Sequence, residues 1–176
     1  MKQELRLSGS GGQGLILAGI ILAEAALLDG KLAIQSQSYG PEARGGSSKA
    51  EVMISDKAIY FPKVTKPNLV LAMSQEAARK YVDDLSDNGI LVTDSLFVKE
   101  IPASFKGKVL ELPITHTAKT ELGKALFANI IALGAIVKLT GIVSEASIIK
   151  AVLSRVPKGT EVVNEKAVRL GMALIK

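Results

Sequence analysis

The segment 7-LSGSGGQGLILAGIILAEAALLDGK-31 restricts this chain more than any other part of it. Glycine fills four of the six positions from Gly9 to Gly14, and an apolar run follows from Leu15 to Leu28, broken at Gly19 and Glu24. A strand over Gln3–Ser8, with Leu5 and Leu7 apolar, leads into the glycines. A helix over roughly Gly12–Leu28 leaves them and stops at Asp29-Gly30, a glycine C-cap. Strand, glycine turn and apolar helix in that order open an α/β sheet. Glycine permits positive φ and close backbone approach, and the first turn of a helix leaves N–H groups unpaired. Together they make a cradle for an anion, phosphate above all.

The remaining pattern extends the sheet. Lys31–Ser36 is expected as the second strand, 37-QSYGPEARGGSS-48 as a long loop, and Lys49–Asp56 as an edge or antiparallel strand. Strands over Asn68–Met73, Gly89–Thr93 and Lys108–Leu112 follow, with a helix capped at Ser74 after the first of them. From Thr117 onward helix is expected: to Thr140-Gly141, from Ser144 to Arg155, and from about Thr160. The fold class is therefore α/β, a single domain over residues 1–176. Its architecture is an open, mostly parallel sheet with helices on both faces and a helical C-terminal third. Composition agrees, because 48% of residues are apolar but only 4% are aromatic. Leu, Ile, Val and Ala without rings suit parallel strands under apolar helices. A mean hydropathy of +0.30 leaves apolar surface for a partner to cover.

Several function classes drop out. The longest apolar runs fall short of the ~20 residues that cross a bilayer, and Met1–Arg6 begins a strand rather than a signal peptide. The chain has no cysteine, which removes disulfides, a thiolate zinc site, a cysteine nucleophile and a resident iron–sulfur cluster. A cytoplasmic protein is expected. The net charge of +5 is spread over single lysines with few aromatic residues between them, a poor match to nucleic-acid binding. An anionic small molecule or an acidic partner fits that charge better.

Gly9-Ser10-Gly11-Gly12-Gln13-Gly14 fits G-x-G-x-x-G in the right context, after a strand and at a helix start. NAD binding also needs an acid about 20 residues on, at the end of the second strand. That region reads Ile34-Gln35-Ser36-Gln37-Ser38, and Gly14 is followed by Leu15-Ile16 rather than a Walker lysine. A stand-alone NAD(P) reductase and an ATP site are both disfavoured. The candidate binding residues are Ser8, Gly9, Ser10, Gly11, Gly12, Gln13 and Gly14. In 38-SYGPEARGG-46, Arg44 supplies a guanidinium fork for carboxylate or phosphate, placed near the carboxyl ends of the strands. His116 reads as part of a polar helix entry capped by Thr115 or Thr117, and Asn129 as a satisfied buried amide or a subunit contact. No metal-ligand spacing and no paired carboxylates occur, so no catalytic residue is assigned.

The glycine loop with its helix, 38-SYGPEARGG-46, 50-AEVMISD-56 and 129-NIIALGAI-136 together resemble the gamma subunits of the 2-oxoacid:ferredoxin (acceptor) oxidoreductases, across essentially the whole chain. SYGPEARGG is most similar to the 2-oxoglutarate type, with pyruvate and branched-chain types close by. The resemblance implies a Rossmann-like or flavodoxin-like unit inside a multi-subunit enzyme that decarboxylates a 2-oxoacid, forms acyl-CoA and passes two electrons to ferredoxin or another acceptor. It implies coenzyme A contacting this chain, with thiamine diphosphate and iron–sulfur clusters on the partner subunits: alpha, beta and a ferredoxin-like delta. A purely structural subunit with an empty glycine loop is the alternative.

Overall fold

Alternation by two places Leu5 and Leu7 on one face of β1 (Lys2–Ser10) and Glu4, Arg6 and Ser8 on the other. In the computed structural model, which describes residues 1–39 and 47–176, β1 lies inside a six-stranded sheet of order β2-β3-β1-β4-β5-β6. The other strands are β2 (Leu32–Tyr39), β3 (Ser47–Ser55), β4 (Leu69–Ala72), β5 (Ile90–Asp94) and β6 (Lys108–Leu112). β1, β4, β5 and β6 pair in parallel, and β3 runs antiparallel to both β1 and β2. The sheet is mostly parallel with one reversed strand, as expected.

Helices cover both faces unequally. α1 (Leu15–Leu28), α3 (Ile114–Leu122), α4 (Ala128–Thr140), α5 (Glu145–Arg155) and α6 (Glu161–Ala173) share the main core with Leu5, Leu7, Val52, Ile54, Leu69 and Leu71. α2 (Gln75–Tyr81) packs on the opposite face, over Val70, Ala72 and Leu91. Its Ser74 cap accepts the Ala77 N–H. Beside α2, the buried Arg6 pairs with Glu51 at 3.3 Å and with Asp84, and lies 5.0 Å from the centre of the Tyr81 ring. That cluster ties the end of α2 to the middle of the sheet. None of the described helices is long and apolar enough to cross a membrane.

Three local expectations change. Residues 37–39 and 47–48 are strand rather than loop, because the β2–β3 ladder continues through Ser38 opposite Lys49 and Tyr39 opposite Ser48. Cross-strand pairing overrides the loop-forming character of these polar residues. The helical third starts at Ile114 rather than Thr117 and is interrupted at Gly123, whose φ of 77° ends α3. The expected threonine cap is also replaced: Pro113 stands at the start of α3 with no side-chain cap of its own.

α5 is stapled to α1 by Asp29, which accepts from the Ser144 N–H (2.6 Å), the Ser144 hydroxyl (2.8 Å) and the Ser147 hydroxyl (2.5 Å). Desolvation pushes the Asp29 carboxyl up, but these hydrogen bonds outweigh it and hold the group below the ordinary carboxylate range.

α4 is buried on every side from Ala128 to Val137. It meets α6 backbone to backbone, and glycine makes that approach possible. A Cβ on Gly171 would lie 1.9 Å from the Ile131 carbonyl oxygen, and one on Gly134 would lie 2.1 Å from the Val168 carbonyl oxygen. Helix propensity alone favours Gly171→Ala by about 1 kcal/mol. The clash is with backbone and cannot be relieved by a rotamer, so overpacking at ~1–3 kcal/mol or more decides the sign. Gly171→Ala is expected to lower the denaturation midpoint in urea, where propensity alone would raise it.

Candidate functional site

β1 passes into α1 on the main-core face, and its neighbour β4 passes into α2 on the other. The crevice at the carboxyl ends of β1 and β4 is therefore a topological switch point, where open α/β sheets take ligands. The glycine loop sits there.

The loop is braced from inside. The Gln13 side chain folds back, its Oε1 accepting the Ser10 N–H at 2.8 Å and its Nε2 donating to the Met73 carbonyl at 3.0 Å. A Cβ at position 9 would lie 2.2 Å from the Gln13 Oε1 and 2.9 Å from the Met73 Cβ, so a larger residue there would displace the Gln13 brace. Gly14 precedes α1 in the left-handed conformation, at φ 73°. From α4, Asn129 Nδ2 donates to the Gly14 carbonyl at 3.1 Å while its Oδ1 accepts the Ile130 N–H. No side chain caps α1 and no acid stands in its first turn. The first intrahelical bond runs from Ala18 N–H to the Gly14 carbonyl, so the N–H groups before Ala18 face the open end.

The open end faces a cleft of about 330 Å³. Gly12, Gln13 and Gly14 line one side and Met73 the floor. Phe97 comes from the turn after β5, Thr115 and Lys119 from α3, and Ala125, Leu126 and Ala128 from the turn into α4. Among the described residues of this lining Lys119 is the one charged side chain, and no carboxylate joins it.

Asp94 positions two of these walls together. Its buried carboxylate accepts the Leu96 N–H at 3.2 Å, the Thr115 N–H at 3.2 Å and the Thr115 hydroxyl. Its carbonyl accepts the Phe97 N–H at 3.2 Å. Asp94 thus supplies the cap that α3 lacks and fixes the turn that carries Phe97.

The expected site residues fall into three groups. Gly11 and Gly12 are exposed at the loop tip, and Gly14 opens α1. Ser8, Gly9, Ser10 and Gln13 shape the loop from below. Ser8 is fully buried and donates its hydroxyl to the Leu71 carbonyl, and the Ser10 N–H and the Gln13 amide are spent on each other and on Met73. Arg44 lies outside the described residues. His116 is exposed on α3 and does not line the cleft. Asn129 is buried and satisfied, and its partner is the loop itself. Sequence reasoning missed Asp94, Phe97, Thr115 and Lys119. A carboxylate at the carboxyl end of β5 was the available signal.

With this geometry in place, the comparison with known proteins is direct. The pattern that defines the pyruvate ferredoxin/flavodoxin oxidoreductase family matches residues 4–174. The chain belongs to this family. A 2-oxoglutarate synthase subunit KorC from Methanocaldococcus jannaschii is 49% identical, over 100% of this chain and 95% of that one. The solved gamma subunit of a keto/oxoacid ferredoxin oxidoreductase from Geobacter sulfurreducens is 48% identical, with a TM-score of 0.90 over 99% of this chain and 96% of that one. A 2-oxoglutarate:ferredoxin oxidoreductase chain from Magnetococcus marinus shares the fold, with a TM-score of 0.86 at 24% identity over 98% of this chain. Only 31% of that longer chain is matched.

The family segment 129-NIIALGAI-136 now has two physical roles. Gly134 lets α6 approach, and Asn129 holds the loop. Asn129→Ala is expected to cost ~1–2 kcal/mol, one buried hydrogen bond and its desolvation. Hydrogen exchange should quicken at Gly14–Ala18 more than in the central strands.

Proposed function

We propose that this chain is the gamma subunit of a 2-oxoglutarate:ferredoxin (acceptor) oxidoreductase and that it holds coenzyme A for the reaction. The observation that carries the reading is the uncapped N-terminus of α1, open to a cleft with no carboxylate among the described residues of its lining. Coenzyme A brings a pyrophosphate for those N–H groups and needs no acid at the end of β2. The dipole adds only ~0.3–1 kcal/mol, so several N–H contacts share the work. Gly9–Gly14 form the cradle, Ser8 and Gln13 set its shape, and Arg44 supplies a further cation beside it. The 2-oxoglutarate assignment rests on the 49% identity to a 2-oxoglutarate synthase subunit.

In the overall reaction 2-oxoglutarate and coenzyme A give succinyl-CoA, carbon dioxide, two electrons and a proton. The thiamine diphosphate and iron–sulfur clusters for this belong to the alpha, beta and ferredoxin-like delta subunits. This chain has no cysteine, and its described residues hold no cluster of metal ligands. Ferredoxin or another acceptor takes the electrons, in the cytoplasm. Leu27, Leu28 and Leu32, exposed around the α1–β2 connection, are surface for partner subunits to cover.

A purely structural subunit with an empty loop has the same apolar surface in its favour, and kinetics separates the two. Gly12 has open space around its absent Cβ and a φ of 83°, so a side chain there projects outward at the cost of backbone strain. In the assembled complex, Gly12→Asp should raise the KM for coenzyme A about tenfold or more (~1.4 kcal/mol) and leave the KM for 2-oxoglutarate unchanged. Gly12→Asn, with the strain but not the charge, should do less. Unchanged coenzyme A dependence in Gly12→Asp would leave the structural reading standing.

A further inference from the structure

The last strand of an open sheet leaves its outward N–H and C=O groups unpaired, and proteins guard such edges with charge or with short strands. The two outer strands of the described sheet, β2 and β6, differ in this respect. β6 is five residues long and exposes Lys108 and Glu111. β2 runs for eight residues, LAIQSQSY, with no charged residue and no proline. The flanking Lys31 gives no guard either, because its ammonium is bound to the Ile142 carbonyl. An edge this long and neutral is a template for another strand.

The side chains on it select which strand. Gln35 and Gln37 share a face with Val52 and Ala50, the face that α1 covers. The Gln35 Nε2 donates to the Gln37 Oε1 at 3.1 Å. Among the described residues nothing meets the Gln35 Oε1 or the Gln37 Nε2, so the pair offers one acceptor and one donor outward. An antiparallel copy of β2, placed with the two Ser36 residues opposite each other, sets Gln35 against Gln37 twice. Each outward Nε2 then meets an outward Oε1, and four amides close a ring. No like charges meet along residues 33–39 of the two strands.

α1 extends the same surface. Ile16 and Ile20 are half-buried and Leu27 is 57% exposed. Their spacing puts them on one flank of the helix, left over after α4 and α5 have packed on α1. Gly19 of α1 lies over Ala50 of β3 and Gln35 of β2, so the helix stands beside the edge. A two-fold axis through the Ser36 pair therefore brings two α1 helices side by side. Their separation is roughly 10–14 Å, two to three strand spacings of ~4.8 Å, close to the ~8–10 Å of packed helices.

We propose that β2 and this flank of α1 form an interface between two copies of this chain, joined into one continuous sheet about a two-fold axis at Ser36. The proposal does not depend on the coenzyme A reading.

Sedimentation equilibrium of the purified full-length chain tests it. The expected species is a dimer, twice the 18.5 kDa chain mass. Ser36 is exposed, and Ser36→Lys sets two ammonium groups opposite each other. It should raise the dimer dissociation constant about tenfold or more, because like charges directly opposite repel. Ser36→Asp alone should do the same, and an equimolar mixture of the two variants should recover the dimer. Because the chain has no cysteine, Ser36→Cys also reads the register directly. Under mild oxidation it should form a disulfide-linked dimer much faster than Glu111→Cys on the opposite edge, and this holds as a test even where the lysine variant fails to fold. A monomeric chain at every concentration overturns the proposal, as does a dimer that Ser36→Lys leaves intact. If the chain is monomeric and Ser36→Lys instead blocks assembly with the partner subunits, the edge receives a partner's strand and the second-copy proposal has failed.

Discussion

A helix that begins at the carboxyl end of a sheet must find partners for its first N–H groups, and α1 finds none in its own sequence. Its N-cap is a left-handed glycine, and its first turn has no acid. The neighbouring polar groups are all turned elsewhere. Gln13 braces Ser10 and Met73, Asn129 holds the carbonyl rather than the N–H of Gly14, and Ser8 bonds inside the sheet. These bonds stabilise the loop, and apart from the Ser10 N–H that Gln13 takes they leave the donors at the start of α1 free. The way the loop is braced keeps the N–H groups at the start of α1 available to a ligand.

The core enforces this arrangement. α1 lies so close to β3 that a Cβ on Gly19 would come within 2.9 Å of the Ala50 Cβ. α4 is buried on all sides and locked to α6 by the Gly134 and Gly171 contacts, so Asn129 reaches the loop from a rigid support. Asp94 does the same for the far wall, serving as cap for α3 and anchor for the Phe97 turn. The cleft is thus preorganised by buried connections behind its lining, with Gln13 and Thr115 of the lining tied into them.

Much of this was legible in the residues. Alternating leucines, clustered glycines and an apolar run stand together at the N-terminus, and each alone predicts its element there. The Ser144 and Ser74 caps were equally readable, because a cap and its helix are adjacent in sequence. Misreadings arose where the deciding partner is distant. Residues 37–39 and 47–48 look like loop until their ladder partners are known. The start of α3 is hidden because its cap is Asp94, on another strand, and Lys119 was hidden with it. Asn129 was recognisable as a satisfied buried amide, but nothing local pairs it with Gly14, 115 positions away.

The division of labour follows from what the cleft contains and lacks. Among the described residues it offers backbone donors, one ammonium and one half-exposed ring. On the coenzyme A proposal, the chain holds a ligand for chemistry carried out on other subunits. A structure of the assembled complex with coenzyme A bound tests this most directly. The account predicts pyrophosphate oxygens within hydrogen-bonding distance of the N–H groups between Gly11 and Leu17. A pyrophosphate bound wholly by another chain, beside an empty glycine loop, would contradict it.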